Sequence, residues 1–327
     1  MCRKLTDNLL QARERLTAIC QGRPCIIDPE DCNISEPTLD DFPGLEDKSK
    51  AEIFIYWVRL CAIIGRVAKH LSRSSSHASS SPFPVHLGKE LIQWVRSLPA
   101  HLQLPINSNH TTTFNRDVHQ LHLPYLTIVT ILHLKWSSHS LPKASSPAIL
   151  AATCVARILK DILVRGGTRF LMAITCWYCG TAFIALLQAS RSEDLRRGAE
   201  EDLDILTLAI KQLKTMWGTA NVFDQGFQRL RASSKSSNDT EEDATNVVQN
   251  AQYLAHVHES GLPDNDVIDW LEYFPFVTVQ TSGVAERLLA QSTNDLFRLE
   301  DYPGCLMCQN QDLFEGFESF TDSNLFL

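Results

Sequence analysis

The sequence predicts an all-α fold, a bundle of stacked helical pairs with an acidic C-terminal tail. Apolar residues recur at helical spacing through the first two thirds of the chain, and runs that alternate apolar and polar residues are nearly absent. The charge also changes along the chain: 17 acids and 4 bases follow from Arg231 onward, a net of −13. Because the whole chain carries −8, the first 230 residues carry +5. We therefore expect a mildly basic helical body and a separate acidic part.

Helical segments follow one another through the body. The pattern covers residues 51–71, 86–102, 115–136, 145–167 and 192–220. Pro124 should kink the third of these helices or mark its true beginning. Serine caps, an early proline and a Gly-Gly stop bound the fourth. The last one carries an apolar stripe at spacings of three and four, formed by Leu203, Leu206, Ile210, Leu213 and Trp217.

Residues 169–191 need separate interpretation, because 21 residues without an acidic or basic side chain other than Tyr and Cys lie between the arginines at its ends. That length would suffice for a transmembrane helix. However, Thr175, Gly180 and Gln188 make the stretch only moderately apolar, and arginine on both flanks gives no orientation bias. The pattern favours a buried core helix and predicts no membrane span.

The composition divides the chain into three parts. Residues 1–232 form the helical domain, which the serine-rich loop 72–84 interrupts. An acidic linker, 233–246, is predicted to be disordered. The tail, 247–327, alternates acids with aromatic and aliphatic residues, which is typical of activation segments. Its candidate activation residues are Phe314, Phe317, Phe320, Leu325 and Phe326. The alternative is that aromatic residues at the end of the tail dock back onto the helical body as a clamp.

Motifs for chemistry are weak, and we predict no catalytic, cofactor-binding or metal-binding residue. Cys176 and Cys179 lie in an apolar helix, where burial would make their thiols inert. Cys305 and Cys308 stand in the tail without further ligands. The histidines of the third helix fit core or helix-surface positions better than a metal site, since no carboxylate completes a recognised spacing. They are His119, His122 and His133. Ten cysteines and no secretory leader indicate a reducing, intracellular location.

The order of several segments resembles the regulatory middle domain of fungal zinc-cluster transcription factors, and in particular the branch of the cutinase-type factors. The segments are "GRPCIIDPEDCNISEPTLDDF" (22–42), "LIQWVRSLPAHL" (91–102), "LHLPYLTIVTILHL" (121–134), "AILAATCVARILKDILVRGGTRFL" (148–171) and "AEEDLDILTLAIKQLKTMWGTAN" (199–221). The likeness covers roughly residues 1–232. The chain departs from the family at 133–135, which read His-Leu-Lys instead of His-Arg-Pro. The Cys-x-x-Cys-x6-Cys DNA-binding cluster is missing from this sequence.

The resemblance implies a nuclear transcriptional regulator of RNA polymerase II genes that is not an enzyme. Zinc would belong to the absent cluster, so DNA would be reached indirectly or through a missing segment. The implied partners are a second copy or another transcription factor, a coactivator that binds the tail, and a small effector. The rival hypothesis is a helical membrane-associated protein or a pathway enzyme without a recognisable motif.

Overall fold

The computed structural model describes residues 2–27, 33–74, 83–137, 140–236 and 268–292. Within these ranges the chain forms nine α-helices and one β-hairpin. The helices are α1 (Cys2–Cys20), α2 (Lys48–Ser74), α3 (Val85–Arg96), α4 (Arg116–Leu132), α5 (Ser146–Val164), α6 (Thr175–Ala189), α7 (Glu193–Leu213), α8 (Thr219–Ser236) and α9 (Gly283–Ser292). The strands are β1 (Leu134–Ser137) and β2 (Ser140–Ala144). The all-α prediction is confirmed.

One continuous hydrophobic core runs from α1 to α9, and α5 and α6 lie at its centre. Helix α6 buries 14 of its 15 residues, with only Gln188 partly exposed. A helix that is apolar on every side needs neighbours on every side, and α6 packs against α4, α5, α7, α8 and β2. These neighbours on all sides explain why the sequence of α6 is apolar around the whole helix.

The β-hairpin was not predicted. Strands β1 and β2 pair antiparallel, with Leu134 opposite Ala144. The hairpin is closed at its base, where both the backbone N–H and the hydroxyl of Ser145 donate to the carbonyl oxygen of His133. It returns the chain from the end of α4 to the start of α5, so that these two helices can pack together. Such a short two-stranded connection has too little alternation to be recognised from sequence.

Helix α4 begins at Arg116, because the Asn115 side chain accepts hydrogen bonds from the N–H groups of Asp117 and Val118, at 3.0 and 3.2 Å. This is an N-terminal cap. Pro124 therefore lies inside the helix and does not mark its beginning. The missing N–H of a proline removes one intrahelical hydrogen bond, and the tertiary contacts of this buried helix outweigh that loss.

The segment 169–191 is not one helix. Residues Gly167–Phe170 form a 3-10 turn, Leu171 is extended, and α6 begins only at Thr175. Among the described residues, no helix has the length and apolar character needed to cross a bilayer. Helix α7 likewise ends before Trp217, which is half-exposed and donates its indole N–H to the Leu171 carbonyl oxygen at 3.0 Å. The other four residues of the predicted α7 stripe are buried.

Gly180 on α6 lies directly against the ring of Phe223 on α8. A Cβ at this position would lie 2.5 Å from Cε1 of Phe223. We expect Gly180→Leu to overpack the core and to lower the free energy of unfolding by about 1–3 kcal/mol. Urea unfolding followed by circular dichroism measures the change. Gly226→Leu is the matched control, since no atom lies within 4 Å of the corresponding Cβ; an equal loss in both variants would refute the overpacking.

Part of the predicted tail belongs to the folded domain, so its assignment to the tail is wrong for residues 268–292. We call these residues the C-terminal segment. It contains a 3-10 turn, Trp270–Tyr273, followed by a loop and α9. Tyr273, Phe274, Phe276 and Val284 are buried in the common core. The acids of the segment stay near its surface, which allows its aromatic side chains to pack inward.

Candidate regulatory site

The first half of the C-terminal segment inserts Tyr273 between helices that lie far away in sequence. The hydroxyl of Tyr125 on α4 donates to the carbonyl oxygen of Tyr273 at 2.9 Å. On α3, a side chain at Gly88 would overlap the Tyr273 hydroxyl and Ile268. The ring of His133 meets the Tyr273 ring edge-on at 5.5 Å between centroids. Tyr273 thus occupies a slot formed by α3, α4 and the start of the hairpin.

Aromatic contacts continue along α4. The ring of Phe276 packs edge-on against His122, with centroids 5.6 Å apart, and Trp94 stacks on Tyr125 at 5.1 Å. Burial lowers the pKa of His122 to about 4 and that of His133 to about 3. Both rings are therefore neutral at physiological pH. Of the two positions that the sequence left open for these histidines, core or helix surface, the structure places both in the core.

A buried arginine on α5 fastens the loop of the C-terminal segment. One terminal nitrogen of Arg157 donates to the carbonyl oxygen of Thr281 at 2.8 Å. The other donates to the carbonyl oxygen of Ser108 at 2.9 Å and to the Thr111 hydroxyl at 3.2 Å. The Nε atom lies 3.5 Å from Oδ2 of Asp161. Arg157 therefore connects three separate parts of the chain through one planar group, which suits its rigid fork of donors.

Asp161, which carries the negative charge opposite Arg157, also contacts other polar groups. Asp161 accepts a hydrogen bond from the Thr111 hydroxyl, and Arg165 lies 3.4 Å from its Oδ1 atom. Nε2 of His119, which is fully buried, lies 3.6 Å from Oδ2. Burial works to raise the pKa of Asp161, but His119, Thr111 and Arg157 lower it below its usual value. The carboxylate thus stays ionised and balances the buried guanidinium. The sequence shows no carboxylate at a recognised spacing from His119, because Asp161 lies on another helix.

A second polar contact joins α5, α7 and the start of α9. The Thr153 hydroxyl donates to Asp202, and it lies 3.4 Å from the hydroxyl oxygen of Ser282. Burial raises the pKa of Asp202 well above its usual range, although the charges of Lys160 and Arg157 oppose the shift. Burial therefore favours the protonated form of this carboxyl group.

Next to this contact lies a cavity of about 310 Å³ between α5, α7 and the loop before α9. Its walls come close because α7 has a glycine there: a Cβ at Gly198 would lie 3.0 Å from the backbone nitrogen of Val284. The polar and charged lining includes Asn109, Arg157, Lys160, Glu201, Asp202 and Glu286. The volume lies at the lower end of the range of small-molecule sites, and the lining is more polar than is usual for them.

Taken together, these contacts hold the C-terminal segment on the helical domain. Within the described part of the chain, no group of three or more His, Cys, Asp or Glu residues could hold a metal ion. The sequence did not single out the residues that make the main contacts with the C-terminal segment or support them, which are Arg157, Asp161, Asp202, Tyr273 and Thr281. The one signal for them was Arg157 itself, a lone charge within the apolar run "AATCVARIL" of α5.

Cys176 and Cys179 are both buried in α6, as the sequence predicts. Burial raises the pKa of Cys176 to about 11 and that of Cys179 above its usual value. Both thiols are therefore protonated at neutral pH, and a protonated thiol is neither a nucleophile nor a metal ligand. Two other candidates, Cys305 and Cys308, lie outside the described residues.

We expect the double variant Cys176→Ala/Cys179→Ala to have the same zinc content as the wild type, because neither thiol is available as a thiolate. Elemental analysis of both purified proteins measures this. Stoichiometric zinc in the wild type that disappears from the double variant would contradict the assignment of these cysteines to the core.

The predicted activation residues lie outside the described residues as well. They are Phe314, Phe317, Phe320, Leu325 and Phe326. The chain continues toward them from Ser292, the last residue of α9. Their role therefore remains a prediction from composition.

Comparison with known proteins places the chain beside fungal regulators. It is 25% identical over 242 residues to the acetamidase regulatory protein of Aspergillus oryzae, which is 70% of this chain and 30% of the relative. The acetamidase regulatory protein of Emericella nidulans is 22% identical over 246 residues, 71% and 29% of the two chains. Cutinase transcription factor 1 alpha of Fusarium vanettenii is 23% identical over 233 residues, 64% and 25% of the two chains.

These relatives are regulators and a transcription factor, not enzymes. The resemblance to fungal transcription factors is thereby confirmed, and the chain is similar at the level of the family to fungal transcriptional regulators. It spans less than a third of the length of these relatives. No family model matches the chain. No solved structure matches it at a significant level.

Proposed function

We propose that this chain is the regulatory part of a nuclear transcription factor that controls transcription by RNA polymerase II. The observation that carries the proposal is its similarity to fungal regulators over about 70% of its length. An all-α domain with an acidic, aromatic sequence after it agrees with this function. The helical domain is the scaffold, and residues 293–327 are the activation segment that binds a coactivator.

The contacts of the C-terminal segment give the scaffold a defined role. Arg157 and the Tyr273 slot fix residues 268–292 on the helical domain, so the activation segment starts from a fixed point at Ser292. A change in the domain that loosens these contacts would alter the presentation of the activation segment. A small effector, which the resemblance implies, would fit the cavity between α5, α7 and α9.

DNA recognition would come from elsewhere. The sequence contains no zinc-cluster spacing and no basic run with interleaved aromatic residues. We therefore propose that a segment outside this chain, or a partner transcription factor, reads the DNA, and that zinc belongs to that reader. A homodimer would supply two helical domains to this DNA-binding segment or partner.

Fusion of residues 295–327 to a heterologous DNA-binding domain tests the activation segment. We expect transcription of a reporter gene, because acids keep the phenylalanines exposed for a hydrophobic groove on a coactivator. Changing Phe314, Phe317 and Phe320 to Ala should abolish most of this activity, whereas Glu315→Gln should reduce it only slightly. A fusion that leaves the reporter silent would refute the proposed activation segment.

A further inference from the structure

The end of α5 and the turn that follows it expose apolar side chains, as does the turn after α7. Val164, Phe170 and Met172 are 77%, 46% and 58% exposed, and Met216 and Trp217 after α7 are also exposed. Single exposed apolar residues are ordinary on a protein surface, but a contiguous group marks an interaction site. We call these five residues and the cations beside them the basic apolar patch.

Direct contacts join parts of the patch to one another. The Trp217 indole donates to the Leu171 carbonyl oxygen at 3.0 Å, which joins the end of α7 to the turn. The guanidinium carbon of Arg116 lies 4.3 Å from the centre of the Phe170 ring, and that of Arg169 lies 4.8 Å from it. Phe170 is thus an exposed ring with two arginines against it, an arrangement that attracts both aromatic and anionic groups.

The patch is also positively charged toward solvent. Arg165 pairs with Asp161 and Lys214 pairs with Asp224, but both carboxylates are buried while the cations remain about one third exposed. Arg116 pairs with the exposed Asp117. Within the described ranges no ion pair forms at Arg169, and its guanidinium group lies over the Phe170 ring.

The sequence of this protein contains a segment that complements the patch. Residues 312–327, "DLFEGFESFTDSNLFL", hold four acids and no base, a net charge of −4. Phe314, Phe317 and Phe320 are three residues apart, so one face of a helical turn would carry all three rings and the acids would flank them. The rings of the segment can pack on the exposed rings of the patch, while the carboxylates of the segment can pair with the arginines of the patch.

Helix α9, from which the chain continues toward the segment, packs against α5 and α7, the two helices whose C-terminal ends border the patch. Nineteen residues, 293–311, connect the segment to the end of α9, and this connection spans up to about 60 Å when extended. A folded domain of this size is about 45–50 Å across. Because the segment is tethered, its concentration near the patch is on the order of 1 mM.

We propose that residues 312–327 dock on the basic apolar patch and that this contact covers the phenylalanines of the segment in the resting protein. The regulatory consequence, an activation segment withheld from its coactivator, rests on the proposed function; the docking itself does not. A second copy of the domain is a poorer occupant, because its patch would bring another set of cations against this one.

Hydroxyl-radical footprinting of the full chain tests the docking. Two of the four methionines, Met172 and Met216, lie in the patch, so their oxidation reports its accessibility. If the segment binds with a Kd of about 0.1 mM, tethering keeps it docked about 90% of the time and slows oxidation about tenfold. We expect both methionines to oxidise faster, by up to this factor, in the full chain carrying Phe314→Ala, Phe317→Ala and Phe320→Ala.

Two controls make the result specific. A full chain with Phe297→Ala, which changes an aromatic residue outside 312–327, should keep both methionines protected. A full chain with Arg116→Glu and Arg169→Glu should expose them as the phenylalanine variant does, with an unchanged circular dichroism spectrum. Equal oxidation rates in the wild type and the phenylalanine variant would overturn the proposal. Protection that weakens on dilution would also overturn it, since that result assigns the patch to a second copy.

Discussion

Arg157→Leu is expected to destabilise the protein by about 3–5 kcal/mol, because removing one partner leaves a buried counter-charge and several carbonyl groups unsatisfied. In the wild type its guanidinium holds the carbonyl oxygens of Thr281 and Ser108 and balances Asp161. The variant should therefore also release the loop of the C-terminal segment. Urea unfolding measures the stability loss, and limited proteolysis between residues 268 and 292 measures the release.

Arg197→Leu is the matched control for this experiment. Arg197 is an exposed arginine on α7 whose ion pair with Glu201 is open to solvent, so we expect a change within about 0.5 kcal/mol. If Arg157→Leu unfolds at the same urea concentration as the wild type and resists protease equally, Arg157 does not fasten the segment.

Tyr273→Ala is the second substitution with a large expected effect. Tyr273 is fully buried in its slot between α3, α4 and the hairpin, and it is among the largest fully buried side chains. Truncation of a buried aromatic residue costs about 3–5 kcal/mol, from lost transfer free energy and the cavity left behind. The midpoint of urea unfolding should fall by the corresponding amount.

Two variants in the same segment serve as controls for Tyr273. Tyr273→Phe keeps the ring and should retain most of the stability. Val279→Ala changes an exposed side chain of the same loop and should change the stability by less than about 0.5 kcal/mol. If Tyr273→Ala unfolds like the wild type, the C-terminal segment does not belong to the folded domain.

The sequence predicted helices α2 to α5 and α7 well and the C-terminal segment poorly, and the physical reason is the same for both. Helices such as α5 and α7 are encoded by local spacing, so their apolar faces can be read from neighbouring residues. The segment is held by contacts over long separations: Arg157 and Thr281 are 124 residues apart, and Tyr125 and Tyr273 are 148 apart. Acids such as Asp269 and Glu272 give it a tail-like composition, although its aromatic residues are buried.

Prolines and the local spacing of apolar residues did not predict all of the helix ends correctly. Pro124 left open a kink or a helix start, and the cap at Asn115 places the start earlier. Trp217 continued the α7 stripe in spacing, yet the helix ends at Leu213 and the indole turns to the Leu171 carbonyl. The basic apolar patch could not be recognised for the same reason, because its parts come from different elements of the chain.

We propose that this chain regulates transcription through a helical scaffold and an acidic, aromatic segment. The reporter activity of the full 327-residue chain, fused to a heterologous DNA-binding domain and carrying Arg116→Glu and Arg169→Glu to free the segment, tests this directly. We expect activation well above that of the DNA-binding domain alone, and loss of most of it when Phe314, Phe317 and Phe320 are also changed to Ala. Footprinting reads the docking separately, so failure of one proposal does not imply failure of the other. A stably expressed, nuclear fusion that leaves the reporter at the level of the DNA-binding domain alone, with and without the arginine substitutions, would contradict the claim.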